Sequence, residues 1–221
     1  MKRLLKSSIG IALLIAAVLP GISKQAKSII SPDSALAELK AGNEHHARHQ
    51  YKHPHQTVAR QRELVTGQDP HAQILTCSDS RVPPEIIFDQ GLGDLFVVRV
   101  AGNIATDTQI GSLEYGAKHL HIPLVVVLGH ESCGAVTAAV EGGEVEGHIA
   151  TLVGLIKPAV EKSRGLPGDR VANAVRTNVQ IVVQQLRSST PVLSELVAQK
   201  KLKIVGGVYS LETGKVTWLG E

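Results

Sequence analysis

Aromatic side chains, cysteine and long apolar runs are all scarce in this chain of 221 residues. It has two Phe, one Trp, three Tyr and two Cys. With so few aromatics, the core must consist mostly of Val, Ile, Leu and Ala, which suits a parallel sheet covered by helices. The same scarcity disfavours a module that stacks nucleic-acid bases. One domain is the expectation at this length.

The first residues are typical of a secretory signal peptide. A basic start is followed by an apolar run with one Gly, Ile9–Leu19, which Pro20 ends. The run is too short to cross a bilayer, which takes about 20 residues, so an uncleaved anchor at the membrane surface is the alternative. Cleavage after Ser23 predicts a periplasmic or secreted protein without a stable membrane anchor. The mature chain, 24–221, would be a single domain with an N-terminal helical arm.

The charge of the chain is concentrated in that leader. The sequence has 23 basic and 20 acidic residues, and its first 23 positions hold three of the basic residues and no acidic one. The remainder is balanced and has no general basic field for nucleic acid or an anionic membrane. A nucleic-acid partner is therefore not expected.

Strand patterns alternate with helix patterns along the rest of the chain. Strands are predicted at 72–76, 94–100, 124–128, 202–209 and 216–219. Helices are predicted at 32–48, 57–66, 85–88, 108–119, from 132 onwards, 147–162, 169–187 and 191–200, with Pro158 as punctuation. This alternation predicts an α/β fold with a mostly parallel central sheet flanked by helices. The last strand would be an antiparallel edge.

Two short clusters hold both cysteines and carry the functional interpretation. Cys77 follows one apolar strand pattern, and His130 and Cys133 follow another. Ligands bind beyond the carboxyl ends of parallel strands, so neighbouring strands would bring these residues together. Two thiolates and an imidazole suit zinc, and three protein ligands leave the open position that a catalytic zinc needs. A disulfide between the two cysteines is the structural alternative.

Asp79 and Arg81 lie beside the first cysteine. Arg81 can hold Asp79 ionised through a bidentate pair. The carboxylate would then accept a hydrogen bond from zinc-bound water, or else bind zinc itself and close the site. A surface ion pair of small value is the alternative, but the cysteine at a strand end favours a role in the site.

The chain resembles the β-class carbonic anhydrases. The resemblance rests on the segments Cys77–Arg81 and His130–Gly134, and on Gly93–Asn103 and Ser112–Tyr115 between them, and it covers roughly residues 31–219. It implies an α/β fold with four parallel strands. It also implies a carbonate dehydratase, a lyase that reversibly hydrates carbon dioxide to bicarbonate and a proton by attack of zinc-bound hydroxide.

The resemblance assigns roles to individual residues. Cys77, His130 and Cys133 would bind one zinc ion per chain, with Asp79 as a fourth ligand when the site is closed. Asp79 and Arg81 would form the dyad that opens the site and orients the hydroxide. The active unit would be a homodimer or higher homo-oligomer in which an N-terminal helix embraces the partner. Two thiolates donate charge to zinc, so an alkaline pH optimum is expected.

Two other functions remain open at this point. Carbonyl sulfide and carbon disulfide are linear like carbon dioxide, and β-class relatives that hydrolyse them exist. A non-catalytic zinc or disulfide protein is less expected, because a structural zinc has no need of Asp79 and Arg81.

A histidine-rich segment near the N-terminus is the unusual feature of the sequence. It contains His45, His46, His49, His53 and His55. Three of them, His45, His49 and His53, are four residues apart and would share one helical face if the helix continued. A solvated helix end is the simplest interpretation. Metal capture and proton relay are the alternatives.

Overall fold

Five strands form the sheet that organises residues 30–220, the part of the chain that this computed structural model describes. They are β1 (Ala72–Thr76), β2 (Leu95–Arg99), β3 (Leu124–His130), β4 (Lys203–Tyr209) and β5 (Val216–Leu219), in the order β2-β1-β3-β4-β5. The first four are parallel and β5 pairs antiparallel with β4. The predicted fold class is confirmed. The predicted signal peptide at 1–23 lies outside the described residues.

Eight α-helices within residues 30–220 flank this sheet. They are α1 (Pro32–Ala47), α2 (Val58–Glu63), α3 (Pro84–Ile87), α4 (Asp107–His119), α5 (Gly134–Glu141), α6 (Ile149–Lys162), α7 (Arg170–Arg187) and α8 (Val192–Ala198). The first begins as predicted, because the Ser31 hydroxyl accepts a hydrogen bond from the Ser34 N–H at 3.1 Å. Among the described helices, none is both long enough and apolar enough to cross a membrane.

The two faces of the sheet bury separate parts of the core. On one face, Ile74 and Val126 belong to the same buried cluster as Leu39 of α1. On the other, Leu75 and Val127 pack with residues of α4, α7 and α8. Every residue of β1 and β3 is buried, as expected of parallel strands covered on both faces. The ends of these two strands are therefore held rigidly.

Two local features differ from the sequence prediction. β3 continues to His130 rather than ending at 128, because its pairing with β4 extends to that residue. α5 begins at Gly134 and not at Ser132, since Ser132 has a φ of 51°, outside the helical region. Pro158 lies inside α6, within the helix predicted at 147–162. Its missing N–H leaves the carbonyl of Gly154, four residues earlier, without a helical partner.

One buried polar side chain of the sheet has no hydrogen-bond partner. Gln73 in β1 is 0% exposed, and both its amide oxygen and its amide nitrogen are unpaired. The amide packs against Gly116 of α4, where a Cβ atom would lie 2.1 Å from Gln73 Oε1. An unpaired buried polar group costs about 1–3 kcal/mol, so this position weakens the fold.

We expect Gln73→Met to raise the free energy of unfolding by about 1–3 kcal/mol, because a flexible thioether of similar length removes the unpaired polar atoms. Gln180 is exposed on α7, and Gln180→Met is the matched control, with a change within about 0.5 kcal/mol. Urea denaturation of the three proteins measures both effects. A less stable Gln73→Met protein would contradict the expectation.

Candidate metal centre

The residues predicted to bind metal lie at the carboxyl ends of two neighbouring strands. β1 and β3 are paired in parallel, with Thr76 opposite Leu128. Cys77 follows β1 directly, and His130 is the last residue of β3. Cys133 is the N-cap residue of α5. The strand pairing thus brings together two segments that are distant in sequence.

The three side chains form one buried cluster. The Sγ atoms of Cys77 and Cys133 are 3.9 Å apart, and these sulfurs and a ring nitrogen of His130 all lie within 4.8 Å of one another. The left-handed conformation of Ser132 turns the chain between His130 and Cys133. Nowhere else in residues 30–220 do three or more His, Cys, Asp or Glu side chains converge in this way.

The imidazole of His130 is oriented as a ligand. Its Nδ1 atom lies 2.8 Å from the carbonyl oxygen of Glu131, and a carbonyl only accepts, so Nδ1 must carry the proton. The lone pair is therefore on Nε2, which is buried and has no hydrogen-bond partner. Metal-bound histidines commonly donate their other N–H to a carbonyl or carboxylate in this way.

The donor set and its spacing fit zinc. Two sulfurs that each lie about 2.3 Å from a tetrahedral zinc ion are about 3.8 Å apart, close to the 3.9 Å between Cys77 Sγ and Cys133 Sγ. The distance is far longer than the S–S bond of about 2.05 Å, and both cysteines are free. The structure therefore does not contain the disulfide that the sequence left open.

A hydrogen bond between the two thiols separates their acidities. The contact with Cys133 is the main cause that lowers the pKa of Cys77 to about 4, with a smaller contribution from the Gly102 N–H and against the effect of burial. The same contact, together with burial, raises the pKa of Cys133. One sulfur is thus a thiolate at neutral pH, and a cation that enters the cluster displaces the remaining proton.

A turn after β2 supports the sulfur of Cys77. The Gly102 N–H donates to Cys77 Sγ at 3.3 Å, and Asn178 of α7 donates through Nδ2 to the Gly102 carbonyl at 2.8 Å. Gly102 has a φ of 74°, and a Cβ there would lie 2.6 Å from Ile156 Cδ1. The sequence assigned neither residue a role. Gly102 lies in the segment Gly93–Asn103 that carries the resemblance, and a buried Asn in a helix carries no local signal of what it contacts.

Asp79 and Arg81 form the predicted pair. Arg81 donates from Nε to Asp79 Oδ1 at 2.9 Å and from Nη2 to Asp79 Oδ2 at 2.7 Å. Its Nη2 also lies 3.3 Å from the Ser132 carbonyl, so the pair reaches the turn that precedes Cys133. Asp79 Oδ2 is 3.9 Å from His130 Nε2. The carboxylate therefore lies beside the cluster. It is hydrogen-bonded to Arg81 and is not one of the ligand atoms that converge in the cluster.

The hydrogen bonds from Arg81 hold the pKa of Asp79 well below its usual range. A carboxylate with a low pKa stays ionised at neutral pH and can only accept hydrogen bonds. The arrangement can therefore orient a water molecule or hydroxide that donates to it.

The histidine-rich segment does not continue the helical face considered from the sequence. α1 ends at Ala47, and His49, His53 and His55 have positive φ values. Two of the histidine side chains contact carboxylates of the protein body instead. His45 Nδ1 lies 3.1 Å from Asp89 Oδ2, and His55 Nδ1 lies 2.7 Å from Asp94 Oδ1.

The family of the chain follows from comparison with known proteins. Residues 72–216 match the family model described as carbonic anhydrase, and this range contains all five predicted site residues. The chain belongs to the carbonic anhydrase family. It is 41% identical over 189 residues to carbonic anhydrase 2 of Mycobacterium tuberculosis, which covers 84% of this chain and 91% of that protein. It is 40% identical over 190 residues to the carbonic anhydrase of Mycolicibacterium smegmatis, with coverages of 84% and 92%.

Similar solved structures place it in the β class. A Coccomyxa β-carbonic anhydrase in complex with acetazolamide aligns with a TM-score of 0.66 and 29% identity, covering 72% of this chain and 75% of that one. A tetrameric β-carbonic anhydrase from Sordaria macrospora aligns with a TM-score of 0.67 and 28% identity, covering 85% and 95%. The predicted resemblance is thereby confirmed.

The low pKa of Asp79 predicts how stability depends on pH. The pair with Arg81 stabilises the folded chain above the carboxyl pKa of the unfolded chain, about 3.9, and this contribution is lost as the pH falls through the lower folded-state pKa. We expect Asp79→Asn to destabilise the metal-free protein at neutral pH by up to about 1 kcal/mol, because the pair is partly exposed. Urea denaturation near neutrality and at about pH 3 measures the difference. An equal loss at both pH values would contradict a charge-based origin.

Proposed function

We propose that this protein is a zinc-dependent carbonic anhydrase that reversibly hydrates carbon dioxide to bicarbonate and a proton. The observation that carries the proposal is the buried cluster of two sulfurs and an oriented imidazole nitrogen within 4.8 Å of one another. The Asp79–Arg81 pair beside it, 3.9 Å from His130 Nε2, supplies an acceptor next to the position of a fourth ligand. Membership of the carbonic anhydrase family supports the same reaction.

Cys77, His130 and Cys133 would hold one zinc ion per chain. Zinc bound there would act as a Lewis acid that lowers the pKa of a coordinated water from 15.7 towards about 7. The two cysteine thiolates bring negative charge to the site and weaken that effect, so activity should increase on the alkaline side of neutrality.

Asp79 would act as the hydrogen-bond acceptor that orients the attacking oxygen. Arg81 holds both carboxylate oxygens through Nε and Nη2, which fixes the direction of the remaining lone pairs. The same two contacts favour an open site, because Asp79 would have to leave Arg81 to become a fourth zinc ligand. We retain that closed arrangement as a second state of the same residues.

The site itself does not favour the alternative substrates. Carbonyl sulfide and carbon disulfide would use the same ligands and the same acceptor, and the similar curated proteins carry the name carbonic anhydrase. Among the described contacts we find no feature specific to a sulfur-containing substrate. Carbon dioxide hydration therefore remains the proposal.

We also propose that the active unit is a homo-oligomer. Within the described sheet, the outer side of β2 has no strand partner, and all but one of its residues are half-buried. Phe96 of β2 and Tyr115 of α4 lie side by side with ring centroids 6.3 Å apart, and Tyr115 is 48% exposed. An unpaired apolar edge is a surface that proteins cover. The tetrameric description of the Sordaria enzyme supports assembly.

Export is proposed from the leader alone. A basic start, an apolar run and a cleavage motif after Ser23 support a signal peptide. The mature enzyme would then act in the periplasm or outside the cell.

We expect the zinc-loaded protein to hydrate carbon dioxide in stopped-flow assays, with a rate that rises from about pH 6.5 to 9. Removal of the metal with a chelator should abolish the activity, and added zinc should restore it. Asp79→Ala should lower kcat by roughly 10- to 100-fold with zinc retained, because the acceptor but no ligand is lost. Asp33 of α1 pairs with Lys203 of β4, and Asp33→Ala is the control that should keep full activity.

One result would overturn the proposed reaction. A protein that holds one zinc per chain but shows no turnover across this pH range would not be a carbonic anhydrase in function. Hydrolysis of carbonyl sulfide by the same sample would then identify the alternative substrate.

Native mass spectrometry tests export and assembly together. We expect protein recovered from the periplasm or medium to begin at Lys24 and to have a mass of two or more mature chains. A full-length chain in the cytoplasm would contradict export, and a mass of one chain would contradict the oligomer.

A further inference from the structure

Arg99 connects the end of the edge strand to the loop that carries the site. It is the last residue of β2 and is paired with Thr76, the residue before Cys77. Its Nε donates to the Cys77 carbonyl at 3.0 Å, and its Nη2 donates to the Asp79 carbonyl at 2.6 Å. One guanidinium therefore holds the main chain on both sides of the residue between Cys77 and Asp79.

These two carbonyls belong to a proposed ligand and to the proposed acceptor. The Asp79 carbonyl also accepts from the Val82 N–H at 3.1 Å, but that contact stays within the loop. Arg99 instead ties the loop to a strand whose position is fixed by its pairing with β1. Hydrogen bonds from a charged donor are stronger than neutral ones, so Arg99 holds the loop firmly against β2.

We propose that Arg99 is a positioning residue that sets the directions of the Cys77 sulfur and the Asp79 carboxylate through their main-chain carbonyls. It acts on the site without touching the metal or the substrate. The inference deepens the proposed function and rests on it. Loss of such an outer partner typically costs 10- to 100-fold in metal affinity or activity.

The shape of the side chain makes the role specific to arginine. A planar guanidinium can donate to two separate carbonyls at once, whereas the lysine ammonium is a compact charge on a flexible stem. Arg99→Lys should keep the charge and one of the two contacts. Arg99→Gln should lose both the charge and the ability to donate to the two carbonyls at once.

Arg187 provides a matched control. It donates from Nε and Nη2 to the Ile204 carbonyl at 3.0 and 2.5 Å, so it also holds a main-chain oxygen with a guanidinium. Ile204 lies near the start of β4, at the opposite end of the sheet from the metal centre. Arg187→Gln therefore removes a similar structural contact without affecting the site.

The test measures zinc release from the loaded protein to an excess of a chromogenic chelator. We expect Arg99→Gln to release zinc roughly 10-fold faster or more than the wild type, Arg99→Lys to lie between them, and Arg187→Gln to match the wild type. In cobalt-substituted protein, the thiolate-to-cobalt absorption bands should move in Arg99→Gln and stay unchanged in Arg187→Gln.

Two outcomes would overturn the proposal. One is a wild-type release rate and cobalt spectrum in Arg99→Gln, and the other is an equal effect of Arg187→Gln, which would indicate general destabilisation. Neither readout uses carbon dioxide. A wild-type protein that binds zinc but lacks hydration activity would therefore end the proposed function while leaving the result on Arg99 valid.

Discussion

The parallel pairing of β1 with β3 is the constraint on which the metal centre depends. Cys77 and Cys133 are 56 residues apart in sequence, and they meet because Thr76 lies opposite Leu128 in adjacent strands. Burial of every residue in both strands holds this register, since a shift by one residue would turn the core side chains to the opposite face. The site thus takes its rigidity from the apolar centre of the sheet rather than from its own loops.

The cluster of Cys77, His130 and Cys133 also contains polar atoms that lack a full set of hydrogen bonds. His130 Nε2 is buried and unpaired, and the two thiols share a single hydrogen bond. A buried polar atom without a partner destabilises a protein, so this arrangement persists only because the surrounding core is well packed. A cation that satisfies all three atoms would stabilise the folded state as well as supply chemistry.

The strands, most helices and the convergence of Cys77, His130 and Cys133 could be predicted from the sequence because they depend on local patterns. Apolar runs reveal β1 and β3, and the cysteines and histidine follow those runs directly. The contacts of Asn178 and Arg99 could not be predicted, because each depends on a carbonyl that the fold brings from elsewhere. A Gln inside β1 gave no warning that its amide would lack a partner.

The histidine-rich segment does not continue α1, although its spacing would suit a helix, for a similar reason. Its spacing favours a continued helix, but Asp89 accepts hydrogen bonds from the main-chain N–H groups of Lys52 and His53. A buried carboxylate that needs donors outweighs a local preference for helix, and the chain leaves α1 to supply them. The spacing of the histidines contains no information about the hydrogen bonds that Asp89 accepts, because Asp89 lies more than thirty positions away in sequence.

The closeness of the two sulfurs has a consequence for the maturation of the protein. The two Sγ atoms are 3.9 Å apart, which is about 2 Å longer than a disulfide bond. Metal loading and oxidation therefore compete for the same pair of atoms. In oxidising surroundings, a disulfide that formed before the metal ion bound would leave an inert cross-linked chain, so the order of these two events would decide whether the site can be loaded.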